Sequence, residues 1–200
     1  MIYETCALLR AETSEAAIKN FIAVVEETIT TRGGSVLIKE DWGQRKLAQP
    51  TSRGVDRGHF IFFMYKGPVD INAELSRRYG INEDMIKFLI VKLGEEHKEK
   101  SFLNAHVNPF NEGDPDQNPR DLDKEKRMFA KRQSCWFTAN KTQASWKNPS
   151  TYCWIVSDFG KIAPGRVNGI TRKHQTLATA AIKQARIIGL LAHHSDRIAH

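Results

Sequence analysis

Along the first hundred residues the apolar positions alternate between strand-like and helix-like spacing. Residues 2–9 (IYETCALL) are apolar on both faces, the pattern of a central strand. Ile18, Phe21, Ile22, Val25 and Ile29 then recur every three or four residues, an amphipathic helix that Thr13 or Ser14 caps and Arg32-Gly33-Gly34 stops. A second strand is predicted over 35–48, with a bulge or sharp twist at Trp42-Gly43. Residues 50–57 are polar and read as a loop. Residues 59–65 (HFIFFMY), bounded by Gly58 and Gly67, carry the strongest strand signal in the chain. Ile71, Leu75 and Tyr79 define a shorter helix that follows Pro68 and ends at Gly80, and 85–93 returns as a strand.

This order, β-α-β-β-α-β, predicts an α+β ferredoxin-like sandwich over residues 1–94, with both helices on one face of four strands. Phe21 and Leu75 lead the stripes that cover that face, which leaves the other to solvent or a partner. In 95–123 the apolar periodicity vanishes among charges and Pro109, Gly113, Pro115 and Pro119, so this stretch reads as an extended linker. Residues 124–192 read as a small, basic, mainly helical domain, and 193–200 as a tail. Within that domain Asn148-Pro149-Ser150 starts a short helix with Tyr152, Ile155, Val156 and Phe159 on its apolar side, and Gly160 ends it. A glycine- and proline-punctuated loop follows, then a longer helix over 173–192. Leu177, Ala181, Ala185 and Ile188 face inward on it, while Arg172, Thr176, Thr179, Lys183 and Arg186 line another side. Two helices make a small core, so 124–200 is expected to be stable mainly when docked to the first half, to RNA, or to both.

Charge separates the two halves further. The chain carries +7 overall; residues 1–100 balance 15 basic against 15 acidic side chains, whereas 101–200 hold 15 against 8. Residues 126–186 contain 12 basic residues and one acid, Asp158, the signature of a partner rich in phosphate. Candidate RNA contacts are Lys131, Arg132, Lys141, Lys161, Arg166, Arg172, Lys173, Lys183 and Arg186, with Arg166, Lys183 and Arg186 the preferred phosphate ligands. Trp136 and Phe137 either stack on splayed bases or anchor the fold; Trp42 is an interface anchor or a packing residue. Arg45 and Lys46 are secondary RNA contacts. Cys6, Cys135 and Cys153 form no Cys-x-x-Cys pair, so they read as small buried side chains in preference to metal ligands, and no cofactor is expected. His193, His194 and His200 share no catalytic spacing with an acid or thiol, and no phosphate-binding glycine loop or nucleophile elbow occurs. No enzymatic activity is expected from this pattern. It also lacks a run of 18 apolar residues, so no membrane association is expected, and the approach to the first strand resembles neither a signal peptide nor an arginine-rich presequence.

Two groups of motifs resemble known families. Ile2-Tyr3-Glu4, Thr31-Arg32-Gly33-Gly34, Glu40-Asp41-Trp42-Gly43-Gln44-Arg45-Lys46-Leu47-Ala48 and Met85-Ile86-Lys87-Phe88-Leu89-Ile90-Val91-Lys92 resemble ribosomal protein S6 of bacterial-type small subunits. Cys135-Trp136-Phe137-Thr138-Ala139-Asn140-Lys141, residues 157–169 (SDFGKIAPGRVNG), Lys173-His174-Gln175 and residues 180–191 resemble ribosomal protein S18, over 131–192. The chain departs from the S18 pattern where Gly165, Thr176 and Gln184 stand in place of family cations. The resemblance implies a natural S6–S18 fusion: a structural constituent of the small ribosomal subunit whose two halves dock on each other, bind central-domain rRNA of the platform, and meet neighbouring ribosomal proteins. Likeness of the first half to mitochondrial forms points to the mitochondrion, with the bacterial cytoplasm as the alternative. Some mitochondrial versions of the pair share a metal or iron–sulfur centre, which makes the three cysteines candidates by resemblance alone. The rival reading is a non-ribosomal RNA-binding adaptor that stacks bases on the aromatic sheet.

Overall fold

The computed structural model describes residues 1–110, 135–157 and 159–194. The chain forms two compact units: Met1–Arg45 with Arg57–His106, and Lys46–Asp56 with Val107–His200.

In the first unit β1 (Ile2–Arg10), α1 (Glu15–Thr31), β2 (Ser35–Lys46), β3 (Arg57–Lys66), α2 (Asp70–Ile81) and β4 (Met85–Gly94) follow the predicted order. The sheet runs β2-β3-β1-β4, and β1 pairs antiparallel with β3 and β4, Thr5 lying opposite Phe63 on one side and Ile90 on the other. Ser14, of the two predicted caps, accepts the Ala17 N–H at 3.3 Å and starts α1. One sheet face presents Tyr3, Ala7, Leu9, Ile61, Phe63 and Tyr65 to Phe21, Val25 and Ile29 of α1 and to Ile71, Leu75 and Tyr79 of α2. Both helices thus bury the residues whose spacing predicted them. Gly80 does not end α2, which runs one residue further and closes at Asn82.

The opposite face is not left to solvent. Cys6, Leu8, Phe60, Phe62 and Met64 are all fully buried. The start of the stretch expected as an extended linker folds back instead: a 3₁₀ turn at Glu96–Lys98 leads into α3 (Glu99–Asn104). His106 then stacks on Phe62, with ring centroids 4.8 Å apart, and Phe62 stacks on Trp42 at 5.0 Å. Glu40 joins these groups, meeting His106 Nε2 at 3.0 Å through one oxygen and accepting the Trp42 indole N–H at 2.6 Å through the other. A segment too polar to fold by itself gains structure by covering apolar surface that the sheet already presents. Residues 111–123 of the expected linker lie outside the described residues.

The second unit contains α4 (Trp136–Ala139), 3₁₀ turns at Pro149–Thr151 and Cys153–Ile155, α5 (Gly165–Asn168) and α6 (Arg172–Ile188). The helix expected after Asn148 is therefore replaced by two short turns. Tyr152 departs from helical geometry at φ −138°, and Val156 turns extended to bridge antiparallel with Ile162. Tyr152, Ile155 and Val156 are buried as expected, but Phe159 points outward, 76% exposed. α6 begins and ends earlier than predicted. Gly189, at φ +88°, supplies the left-handed residue that stops it, and Leu190 bonds back to the Ala185 carbonyl at 2.9 Å.

The loop Lys46–Asp56 belongs to this second unit although it joins two strands of the first. It closes on itself through Leu47 N–H to Asp56 O at 2.7 Å and Thr51 N–H to Val55 O at 2.8 Å. Ala48 N–H donates to the Gly189 carbonyl at 2.9 Å, and His193 N–H donates to Gln49 Oε1 at 2.9 Å. Leu47 and Ala48 are buried.

Candidate nucleic-acid interface

α6 divides its surface cleanly. Ala178, Ala181, Ile182, Ala185 and Ile188 are buried, whereas Arg172, Lys173, Thr176, Ala180, Lys183 and Ile187 are exposed. Arg172 and Lys183, eleven residues apart, fall within about 20° of one another around the axis and about 16 Å apart along it, a span suited to separate phosphates of a nucleic-acid backbone. Thr176 spends its hydroxyl proton on the Arg172 carbonyl at 3.1 Å. Arg166 is exposed on α5, where a glycine-flanked loop was expected; Val167 N–H to Pro164 O at 2.9 Å closes that single turn. Lys161 and Lys141 are exposed as well, Lys141 in the left-handed region at φ +50°. Lys131 and Arg132 lie outside the described residues.

Arg186 is placed differently from the other cations. Its Nε donates to the Ala192 carbonyl at 3.2 Å and its Nη2 to the Gly160 carbonyl. These bonds tie the C-terminal end of α6 to the loop around Gly160, so the guanidinium acts within the fold. Phe137 is also internal, 1% exposed, with Trp136 edge-on at 5.2 Å and His174 at 5.4 Å. Trp136 is 37% exposed. In the first unit Trp42 is buried against Phe62 and Arg45 donates to the Trp42 carbonyl at 2.9 Å; Lys46, in the second unit, is exposed.

The cations of the two units keep different company. In the first unit Arg32, Arg77 and Arg78 converge on Glu74, Lys39 pairs with Glu26, and Lys66 with Glu99. Among the described residues, Lys141, Lys161, Arg166, Arg172, Lys173 and Lys183 have no such carboxylate partner.

The Lys173-His174-Gln175 triplet has three separate roles. Lys173 faces solvent, Gln175 donates to the Ala163 carbonyl at 3.1 Å, and His174 Nδ1 lies 3.2 Å from Cys135 Sγ. Nothing in the sequence spacing announces the last pair, since 39 residues separate its members. Cys135 Sγ also accepts the Thr171 N–H at 3.5 Å, at the start of α6. Burial alone pushes this thiol up, but it is outweighed by the Thr171 and Thr138 N–H groups, His174 and the Thr138 hydroxyl, which hold it at about 6. Because the folded value lies below the ordinary thiol value of 9.0, the resulting stabilisation is complete above pH 9 and is lost as pH falls through 6. Thiolate absorbance of the native chain should therefore show a step centred near pH 6 that vanishes in Cys135→Ser and moves upward in His174→Ala; a native chain whose first thiolate forms only above pH 8 refutes this. Cys153 Sγ points to the Ser150 carbonyl at 3.8 Å, and Cys6 lies in β1 of the first unit. Among the described residues, no three His, Cys, Asp or Glu side chains gather as a group that could hold a metal ion. No helix among them is long and apolar enough to cross a membrane.

The chain matches two family models: ribosomal protein S6 over residues 2–92 and ribosomal protein S18 over residues 140–191. The second match starts after Cys135 and is narrower than the motif resemblance. Among curated relatives, the small ribosomal subunit protein bS6 of Geotalea daltonii is 33% identical over 106 residues, covering 53% of this chain and 82% of that protein. The bS6 of Helicobacter hepaticus is 32% identical over 123 residues, covering 62% and 88%. The bS6 of Campylobacter curvus is 38% identical over 90 residues, covering 45% and 63%. The solved 30S ribosomal protein S6 of Thermotoga maritima aligns at a TM-score of 0.45 and 21% identity, over 52% of this chain and 95% of that one. The chain belongs to the ribosomal protein S6 family and carries a ribosomal protein S18 segment in the same polypeptide, a small-subunit ribosomal protein with a structural and not an enzymatic part to play.

Proposed function

We propose that the chain acts as a covalently joined S6–S18 pair that holds central-domain rRNA on the platform of the small subunit. The observation that carries this reading is the set of exposed cations Lys161, Arg166, Arg172, Lys173 and Lys183, which meet no carboxylate among the described residues. Such side chains supply the sequence-independent, salt-sensitive attraction that anchors a protein on an RNA backbone. No bond is made or broken; binding free energy holds an RNA conformation. Docking of the halves is supported by the loop Lys46–Asp56, which leaves the sheet at β2 and is built into the second unit through Ala48 and Gln49. A peptide connection adds an effective concentration of about millimolar for a flexible linker that spans its sites. The aromatics on the sheet face away from α1 and α2 support no base stacking of the kind a sheet-based RNA adaptor uses, because Phe60 and Phe62 are fully buried. The bacterial-type relatives fit a bacterial or an organellar ribosome, and the terminal motifs of the first half favour the mitochondrial small subunit. Sedimentation of tagged full-length chain from its own cells tests the reading. It should travel with small subunits at moderate salt and fractionate with mitochondria; free sedimentation away from subunits overturns the ribosomal reading, and enrichment outside mitochondria overturns the location.

A further inference from the structure

Phe159 is the most exposed large apolar side chain of the described residues, at 76%. Its neighbours in sequence, Tyr152, Ile155 and Val156, are buried. The loop that carries it is nevertheless fixed from several sides. Ser157 N–H donates to Lys161 O at 2.8 Å, Gly160 N–H to Ser157 O at 2.9 Å, and Lys161 N–H to Ser157 Oγ at 3.1 Å. The bridge between Val156 and Ile162 closes its base, and Arg186 Nη2 donates to the Gly160 carbonyl. Gly160 sits at φ +75° so close to the chain that an added Cβ would clash with the His193 carbonyl oxygen. The ring is therefore displayed by a braced loop, with the exposed Lys161 two residues away.

We propose that Phe159 is a base-stacking anchor: its ring receives the face of an unpaired nucleobase of small-subunit rRNA, while Lys161 meets a nearby phosphate and Arg186 positions the loop from within. This rests on the rRNA-binding reading above and adds the chemical class that one site takes. Charge favours a nucleic-acid partner for the segment as a whole, because residues 126–186 hold 12 cations against a single acid, Asp158, which precedes the ring in sequence and is offset by Lys161 two residues after it. Base–aromatic stacking tolerates any base, since each has a π face, and a preorganised loop loses little conformational freedom on binding. Trp136, the other exposed aromatic among the described residues of this unit, is already engaged edge-on with Phe137 and Trp154.

The test is equilibrium binding of the full chain to a transcript of the central domain of small-subunit rRNA from the same genome, across a series of salt concentrations. Phe159→Ala should weaken binding about five- to a hundredfold at every salt concentration with an unchanged salt slope. Phe159→Leu, which keeps an apolar side chain but has no aromatic face, should weaken it comparably, and Phe159→Trp should retain it. Lys161→Ala should instead flatten the slope by about one. Wild-type affinity in Phe159→Ala or Phe159→Leu, with Lys161→Ala still weakened, overturns the stacking anchor and leaves the rRNA-binding reading standing. Normal transcript binding by Phe159→Ala with failure to enter subunits also overturns it, placing the ring against protein. Failure of the unmodified chain to bind the transcript defeats the rRNA-binding reading itself, before any variant is compared.

Discussion

Replacing Lys161, Arg166, Lys173 and Lys183 together by alanine is expected to weaken binding to small-subunit rRNA by about three orders of magnitude at 0.1 M salt. The figure comes from counterion release, in which each neutralised phosphate contributes a slope of roughly −0.7 (single strand) to −0.9 (duplex) in log K against log salt, so four contacts together contribute about three decades or slightly more at that concentration. All four side chains are exposed and free of carboxylate partners among the described residues, so their removal deletes charge without breaking an internal ion pair. The fold should survive, because the buried face of α6 (Ala178, Ala181, Ile182, Ala185 and Ile188) is untouched. Filter binding or fluorescence anisotropy across a salt series measures both quantities. The salt slope should fall by about three to four, and the variant and wild type should converge as salt approaches 1 M. A variant with the parent's slope would mean that these cations face solvent in the complex. Arg186→Ala makes the informative contrast. With its guanidinium on the Gly160 and Ala192 carbonyls, its loss should lower the stability of the second unit, with little change of slope.

Arg186 also shows where sequence reading stops. On a helical projection it shares a side with Lys183, and nothing local distinguishes a cation that meets phosphate from one that meets carbonyls 6 and 26 residues away. Elements set by local spacing were legible: the stripes of α1 and α2 bury Phe21, Val25 and Ile29, and Ile71, Leu75 and Tyr79, with β1 between β3 and β4 as its two-sided apolarity implies. What depended on distant partners was not. The stretch after β4 looks like linker because the residues that hold its His106, namely Phe62 and Glu40, sit on a sheet made elsewhere in the chain. The turns around Tyr152 have the apolar spacing of a helix, yet the β-branched pair Ile155 and Val156 leads into an extended bridge and turns Phe159 outward. The exposure of Arg172, Lys173 and Lys183 was readable because it follows from helical period alone. The Cys135–His174 pair was not, since tertiary proximity leaves no mark on spacing.

Excising residues 47–56 and joining β2 to β3 by an Asn-Gly turn is expected to leave the first unit folded while stripping the second of about 4 kcal/mol. β2 and β3 are hydrogen-bonded neighbours that a two-residue turn can connect, so the sheet does not need the longer loop. The second unit does. Leu47 is 4% exposed and stands so near Gly189 that a Cβ added there would press on its Cδ2 at 3.2 Å, and burial of such a side chain stabilises by about 2 kcal/mol. The Ala48 N–H to Gly189 O and His193 N–H to Gln49 Oε1 bonds contribute about 1 kcal/mol each, and removal of the first leaves the carbonyl of a buried helix-capping glycine without that donor. A small helical unit has a total stability of only about 5 kcal/mol, so α6 should open readily. Hydrogen exchange reads this directly: amides of residues 178–190 should exchange about a thousandfold faster, while those of β1 and β3 keep their protection. Ala48→Pro, which deletes the donor to Gly189 and adds only the backbone restriction of a proline ring, should give a smaller shift in the same direction. Full protection of α6 in the excised chain would show that the second unit closes its core without the loop, and the case for docking through residues 46–56 would fall with it.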